Sequence, residues 1–206
     1  MTGNISNKPL KAFNVRLDLT QEQKDYLSKV YGAYRFAYNH YKSERDIFWD
    51  DRIRNHHMNR AAKWRVLQYF YPTDPYKLRG NYSCLKSMPI EIIIAAKEAC
   101  DSDYNTYYKT FLSHGAHNKL KPPKAKELSP YQSLTLRTRY SKFLDYEKRT
   151  ITYPGIGELR FDNSGNAYAE TAQEFENAKP VLMTLTRKTK DEFWCKVLVS
   201  TEEQEE

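Results

Sequence analysis

The spacing of apolar residues changes period near residue 116, and this limits the folds open to the chain. Before that point, Tyr26, Leu27, Val30, Tyr31, Tyr34, Tyr38 and Tyr41 recur three or four apart and form one apolar-aromatic helix stripe. After it, Ser133-Leu134-Thr135-Leu136-Arg137-Thr138-Arg139-Tyr140 alternates with the period of a strand. Residues 10–19 alternate too, with Phe13, Val15, Leu17 and Leu19 opposite Asn14, Arg16 and Asp18. The order strand, helices, strands predicts an α+β fold. In it a small β-barrel is built from the first strand and the C-terminal strands, with a helical domain inserted between them. The expected divisions are residues 8–19 for the first strand and 20–118 for the helical insert. Residues 128–200 make the rest of the barrel, and 201–206 an acidic tail.

Local signals punctuate this plan. Thr20 reads as an N-cap, with Gln23 completing a capping box. A second helix is expected around residues 56–70, carrying Ala61, Ala62, Trp64, Leu67 and Tyr69 and ended by Pro72 and Pro75. Residues 71–87 read as a loop. Pro89 opens a third helix to about Leu112, which buries Ile93, Ala96, Cys100, Tyr104, Tyr107, Tyr108 and Phe111. Gly115 then terminates it. Residues 119–126 form a Pro-Lys linker. Strands follow at 150–153 and 158–161 around the turn Pro154-Gly155-Ile156-Gly157. A hairpin pairs 181–186 with 193–199 through a charged turn at 187–192.

The chain has 33 basic and 26 acidic residues, a net charge of +7. Four of the acids, Glu202, Glu203, Glu205 and Glu206, lie in the last five positions, so the body alone carries 22 acids and a net +11. A basic body suits a polyanion such as nucleic acid. Cys84, Cys100 and Cys195 are widely spaced and odd in number, which implies no disulfide framework and fits a reducing cytoplasm. The longest apolar run, Ile92-Ile93-Ile94-Ala95-Ala96, is too short to span a bilayer. His56 and His57 are adjacent and diverge on a helix, and Gly115 separates His114 from His117, so no metal site or other cofactor is expected.

The candidate nucleic-acid-binding residues are Arg52, Arg54, Arg60, Lys63, Trp64, Lys77, Arg79, Lys119, Lys121, Lys124, Tyr131, Arg137 and Arg139. Cations supply phosphate contacts, while interleaved rings such as Trp64, Tyr69, Tyr71, Tyr76 and Tyr131 supply stacking platforms. Taken singly, each cation also reads as ordinary solvated surface.

The segment Gly32-Ala33-Tyr34-Arg35-Phe36-Ala37-Tyr38-Asn39-His40, after Lys11-Ala12-Phe13-Asn14-Val15-Arg16-Leu17, resembles the opening of the TnpB family. Members of that family are RNA-guided nucleases of bacterial insertion sequences, related to Cas12. Weaker likenesses follow in the family's order. They are Ser87-Met88-Pro89 with Ala95, Ala99, Asp103, Tyr104 and Phe111; Lys121-Pro122-Pro123-Lys124 with Gln132-Ser133-Leu134-Thr135; Tyr153-Pro154-Gly155-Ile156-Gly157-Glu158-Leu159; and Phe193-Trp194-Cys195-Lys196-Val197-Leu198-Val199. Residues 50–86 are longer and more polar than the family pattern. Its nuclease signature, an Asp-Leu-Gly strand with later Glu and Asp and a Cys-x-x-Cys pair, is not found in this sequence.

The resemblance implies a wedge-like barrel interrupted by a recognition domain, with no catalytic residues. It implies a non-enzymatic protein that binds structured, guide-like RNA first and duplex DNA second, beside a separate nuclease half or a full-length relative. The rival reading is a protein-interaction module of phage or mobile-element origin that binds through its aromatic face. Arg35 reads either as a phosphate contact or as a structural arginine paired with a carboxylate, beside a core Phe36.

Overall fold

The computed structural model describes residues 10–54, 57–114, 121–137, 143–162 and 179–200. Strand β1 (Leu10–Leu17) leads into the 29-residue helix α1 (Gln21–Trp49). The capping box forms as expected: the Gln23 N–H donates to Thr20 Oγ1 at 3.3 Å, and the Thr20 N–H donates to Gln23 Oε1 at 3.1 Å. This pair satisfies two of the amides that a helix start leaves open. A π-helical turn (Asp50–Arg54) continues α1 and buries Ile53. Four helices follow: α2 (Arg60–Leu67), α3 (Pro75–Asn81), α4 (Ser83–Lys86) and α5 (Ile90–His114). The strands are β2 (Gln132–Arg137), β3 (Leu144–Asp145), β4 (Thr150–Tyr153), β5 (Gly157–Arg160), β6 (Lys179–Arg187) and β7 (Phe193–Ser200). Among the described residues, no helix is long and apolar enough to cross a membrane.

The chain forms two compact units, Met1–Tyr31 with Ser129–Glu206, and Gly32–Leu128. In the first, β1-β7-β6-β2 make an antiparallel sheet and β3-β4-β5 a second, smaller one. The α+β order and the pairing of the first strand with a C-terminal strand agree with the sequence reading. The closed barrel does not. Closure needs every strand bonded on both sides. Here, among the described residues, the free edge of β1 meets the smaller sheet's chain only at the bridge Leu17↔Phe161. Flanking it, the Asp18 N–H donates to the Arg160 carbonyl and the Asp162 N–H to the Arg16 carbonyl, each at 2.9 Å. Strands of two and four residues are too short to carry the ladder further around.

Alternation nevertheless places one face of the large sheet inside. Phe13, Val15, Leu17, Leu134, Leu136, Met183, Leu185, Cys195 and Val197 are buried, together with Ile151, Tyr153 and Leu159 of the small sheet. Burial pushes the Cys195 thiol up to about 12, so it stays protonated. The β4–β5 turn depends on glycine at two places, Gly155 at φ 72° and Gly157 at φ 98°, where a side chain would be strained.

Tyr153 ties the two sheets. Its buried hydroxyl donates to the carbonyls of Leu134 at 2.9 Å and Met183 at 3.2 Å. Tyr153→Phe removes this donor and keeps the ring. It is expected to cost about 1–2 kcal/mol, read as a lower urea midpoint at unchanged slope.

The second unit is held by tyrosine–carboxylate pairs within a helical core. Tyr38 donates to Asp103 at 2.6 Å, and Tyr104 donates to Asp46. Burial is the first cause, and the carboxylate partner the second, of the raised pKa of both phenols. They remain donors at any physiological pH. Arg45 pairs with Asp101, which also accepts from Lys97 at 2.7 Å. The Arg45 guanidinium lies 4.6 Å from the Phe70 ring centre and 5.6 Å from that of Tyr104. Trp49 stacks on Tyr108 at 4.8 Å.

Of the face predicted for the third helix, all but Phe111 is buried, and Phe111 is half-buried. Two other expectations fail. Residues 71–87 are not a loop throughout, because Asp74 caps α3 by accepting from the N–H groups of Tyr76 and Lys77, and Pro75 takes its first turn. Phe36 is not core. It is 37 % exposed and meets Tyr82 edge-on at 4.9 Å.

Candidate nucleic-acid interface

Residues 52–86 contain eight lysines and arginines and a single acid, Asp74. That acid is already engaged as the α3 cap. The whole stretch lies in the helical unit. Its first part, the π-helical turn, displays Arg52 and Arg54 at the surface while Ile53 anchors it. Such turns are over-represented at functional sites.

Helix α2 is shorter than the sequence suggested. Asn59 sets its start, its side chain accepting from the Ala62 N–H at 2.9 Å. The end tightens through i→i+3 bonds, with Gln68 N–H to the Arg65 carbonyl and Tyr69 N–H to the Val66 carbonyl. No α2 residue is fully buried. A short helix without a buried face gains little from packing, and this one holds Arg60, Trp64 and Arg65 out to solvent.

The candidate residues separate by what already occupies them. Arg54 pairs with Asp50 at 3.3 Å, and Arg79 donates to the Lys86 carbonyl at 3.0 Å. Lys63 is half-buried, with its ammonium 5.9 Å from the Phe111 ring centre. Among the described residues, Arg52, Arg60, Arg65, Lys77, Lys121 and Lys124 are exposed and have no side-chain hydrogen bond or ion pair. Trp64, Tyr69, Tyr71 and Tyr76 are exposed rings in the same unit. Tyr131 and Arg137 are exposed but belong to the sheet unit. Lys119 and Arg139 lie outside the described residues, as do His56 and His117.

The carboxylate pairing expected in one reading of Arg35 is not seen. The side chain is half-buried, its Nη1 has no hydrogen-bond partner, and no carboxylate pairs with it among the described residues.

Sequence reasoning missed the outward face of the large sheet, although its alternation carried the signal. Register places Arg16, Trp194, Thr186 and Ser133 in one row, and Asn14, Lys196, Thr184 and Thr135 in the next. Lys188 covers the Trp194 ring at 4.1 Å, and the indole N–H donates to Glu192 at 2.7 Å, so this ring is already occupied.

Asn39, from the motif in α1, has a structural task. Its amide donates to the Lys126 carbonyl at 2.9 Å and its oxygen accepts from the Lys126 N–H at 2.8 Å. The Lys126 ammonium sits 4.4 Å from the Tyr38 ring centre. The pin leaves Lys121 and Lys124 exposed on an anchored linker. Asn39→Ala is expected to speed amide exchange at Lys126 about tenfold or more, as the loss of two partly buried hydrogen bonds requires.

Residues 9–52 match a protein-family model described as a helix-turn-helix domain, of the OrfB type from IS605 elements. Among the described residues of the matched stretch are β1, the continuous helix α1 and the start of the π-helical turn, with no turn dividing two helices. No curated protein sequence matches the chain.

Proposed function

We propose that this chain is a nucleic-acid-binding protein that holds structured RNA, with duplex DNA as a second ligand, and does not cut either. The observation that carries this reading is the stretch 52–86, with its eight cations against one engaged acid. There Arg52, Arg60, Arg65 and Lys77 have no hydrogen-bond or ion-pair partner among the described residues, and Trp64, Tyr69, Tyr71 and Tyr76 of the same stretch are exposed. Unpaired surface cations neutralise phosphates and release counterions. Open rings add stacking that is available only where bases are unpaired, which favours RNA loops and junctions over a closed duplex.

The family match at residues 9–52 supports the same class, since a helix-turn-helix domain is a nucleic-acid-binding module. The absence of an internal turn argues against reading those residues as a recognition helix laid in a major groove. The proposed role is that of the guide-RNA and target-motif-binding half of a TnpB-like protein. Two-metal cleavage needs converging carboxylates, and the family's set is not supplied by this sequence.

The test is a salt titration of purified protein against a fluorescent RNA hairpin and a DNA duplex of equal length. Expected is tighter binding of the hairpin, with affinity falling steeply as salt rises and both ligands intact in Mg²⁺ or Mn²⁺. No binding to either at low salt overturns the reading and favours a protein partner.

A further inference from the structure

Helix α1 is shared between the two compact units. The boundary falls between Tyr31 and Gly32, so residues 21–31 belong to the sheet unit and 32–49 to the helical unit. Each part is tied to its own unit close to that boundary. On the sheet side, the buried Tyr31 hydroxyl donates to the Leu185 carbonyl at 3.0 Å, and Lys24 pairs with Asp191 at 3.3 Å. On the helical side, the Lys126 ammonium lies 5.6 Å from the Tyr34 ring centre and 4.4 Å from that of Tyr38, and Tyr38 donates to Asp103. Gly32 and Ala33 are the two residues between the Tyr31 anchor and the Tyr34 anchor.

Glycine destabilises a helix interior relative to alanine, so its presence calls for a reason. Close approach of a neighbour is not the reason here, since a Cβ at Gly32 would meet nothing within 4 Å. Nor does Gly32 take the left-handed backbone that favours glycine. What it supplies is a backbone with many accessible conformations and no side chain to shield its peptide groups from water. Helices bend where water and small residues weaken the hydrogen-bond ladder. The return crossing puts up little resistance. Between Lys126, pinned to Asn39, and Gln132 at the start of β2, the residues Glu127, Leu128, Pro130 and Tyr131 are exposed.

We propose that Gly32 is a hinge at which α1 bends, carrying the helical unit as one body relative to the sheet unit. A hinge concentrates the change of backbone angles in a few residues and leaves the rest of each body intact. The anchors named above lie on either side of Gly32, within one unit or the other, so none of them breaks as the helix bends. The cations of residues 52–86 all belong to the helical unit and change their bearing together. The hinge holds whether or not nucleic acid is the ligand.

The experiment measures the distance between two nitroxide labels on the full chain by pulsed electron resonance. One label sits on Cys84, an exposed native cysteine of the helical unit, and the other on Lys190→Cys in an exposed turn of the sheet unit. Cys100 and Cys195 are buried and escape labelling. Expected for this parent is a broad or two-peaked distance distribution. Gly32→Ala has room for its methyl and is expected to narrow the distribution to a single peak. The control is Gly80→Ala in α3, where a Cβ also meets nothing within 4 Å but the position is away from the boundary. Both substitutions are expected to raise the unfolding midpoint, by about 1–4 °C, while Gly80→Ala leaves the distribution as broad as in the parent. A single narrow peak in the parent overturns the hinge. So does a Gly32→Ala distribution as broad as the parent's, or equal narrowing by Gly80→Ala.

Discussion

Replacing Arg52, Arg60 and Arg65 together with alanine lowers RNA affinity about 100-fold near physiological salt. It also reduces the slope of log affinity against log salt by about two to three units. Each phosphate left without its arginine removes about 0.7–0.9 of slope, so three such phosphates account for the change. These three side chains have no hydrogen-bond or ion-pair partner among the described residues, so their removal does not unpair anything in the fold. A matched control, Arg54→Ala with Arg79→Ala, removes cations that are already engaged with Asp50 and the Lys86 carbonyl. It changes the slope by less than one unit. A triple variant with unaltered slope, measured by anisotropy between low and moderate salt, places the phosphate-binding residues elsewhere.

The largest stability effect belongs to Arg45. Its side chain is mostly buried, pairs with Asp101 and packs on the rings of Phe70 and Tyr104. Arg45→Met keeps most of the packing volume but leaves Asp101 with Lys97 as its remaining cation. Breaking a largely buried pair costs about 3–5 kcal/mol. The lower end is expected here because Lys97 remains and Arg45 Nε is already without a partner. Chemical denaturation of the full chain measures the loss. A cost below about 1 kcal/mol shows that Asp101 is solvated well enough to stand without the arginine.

Periodicity carried most of the architecture. The stripe from Leu27 to Tyr41 and the alternation at Phe13, Val15 and Leu17 depend on local spacing alone, and both appear as read. The failures were of two kinds. Closure of a sheet depends on which distant edges pair, and no spacing within β2 or β5 encodes that. The short helices α3 and α4 have too few residues to show a period; Asp74-Pro75 marks the start of α3, and α4 follows Tyr82 with no side-chain cap.

At the site, residue type was legible without occupancy. Arg52 and Arg54 are indistinguishable in the chain, but an aspartate four residues earlier engages only the second. Phe36 looked like core because it is aromatic, but the face it occupies on α1 is half open. The stretch Tyr69-Phe70-Tyr71 was legible as aromatic. Arg45 and Phe48 pack against the Phe70 ring alone, and Tyr69 and Tyr71 stay exposed.

The bond pair between Asn39 and Lys126 also fixes the topology of the insert. It joins a point near the entry of Gly32–Leu128 to a point near its exit. The excursion is therefore closed on itself at the base. For a closed excursion, each doubling of length costs only about 0.6 kcal/mol in closure entropy. The sheet ladder of β1 on β7 is drawn from chain outside the excursion. A change in the length of the insert therefore draws on closure entropy and leaves the residues that make this ladder untouched.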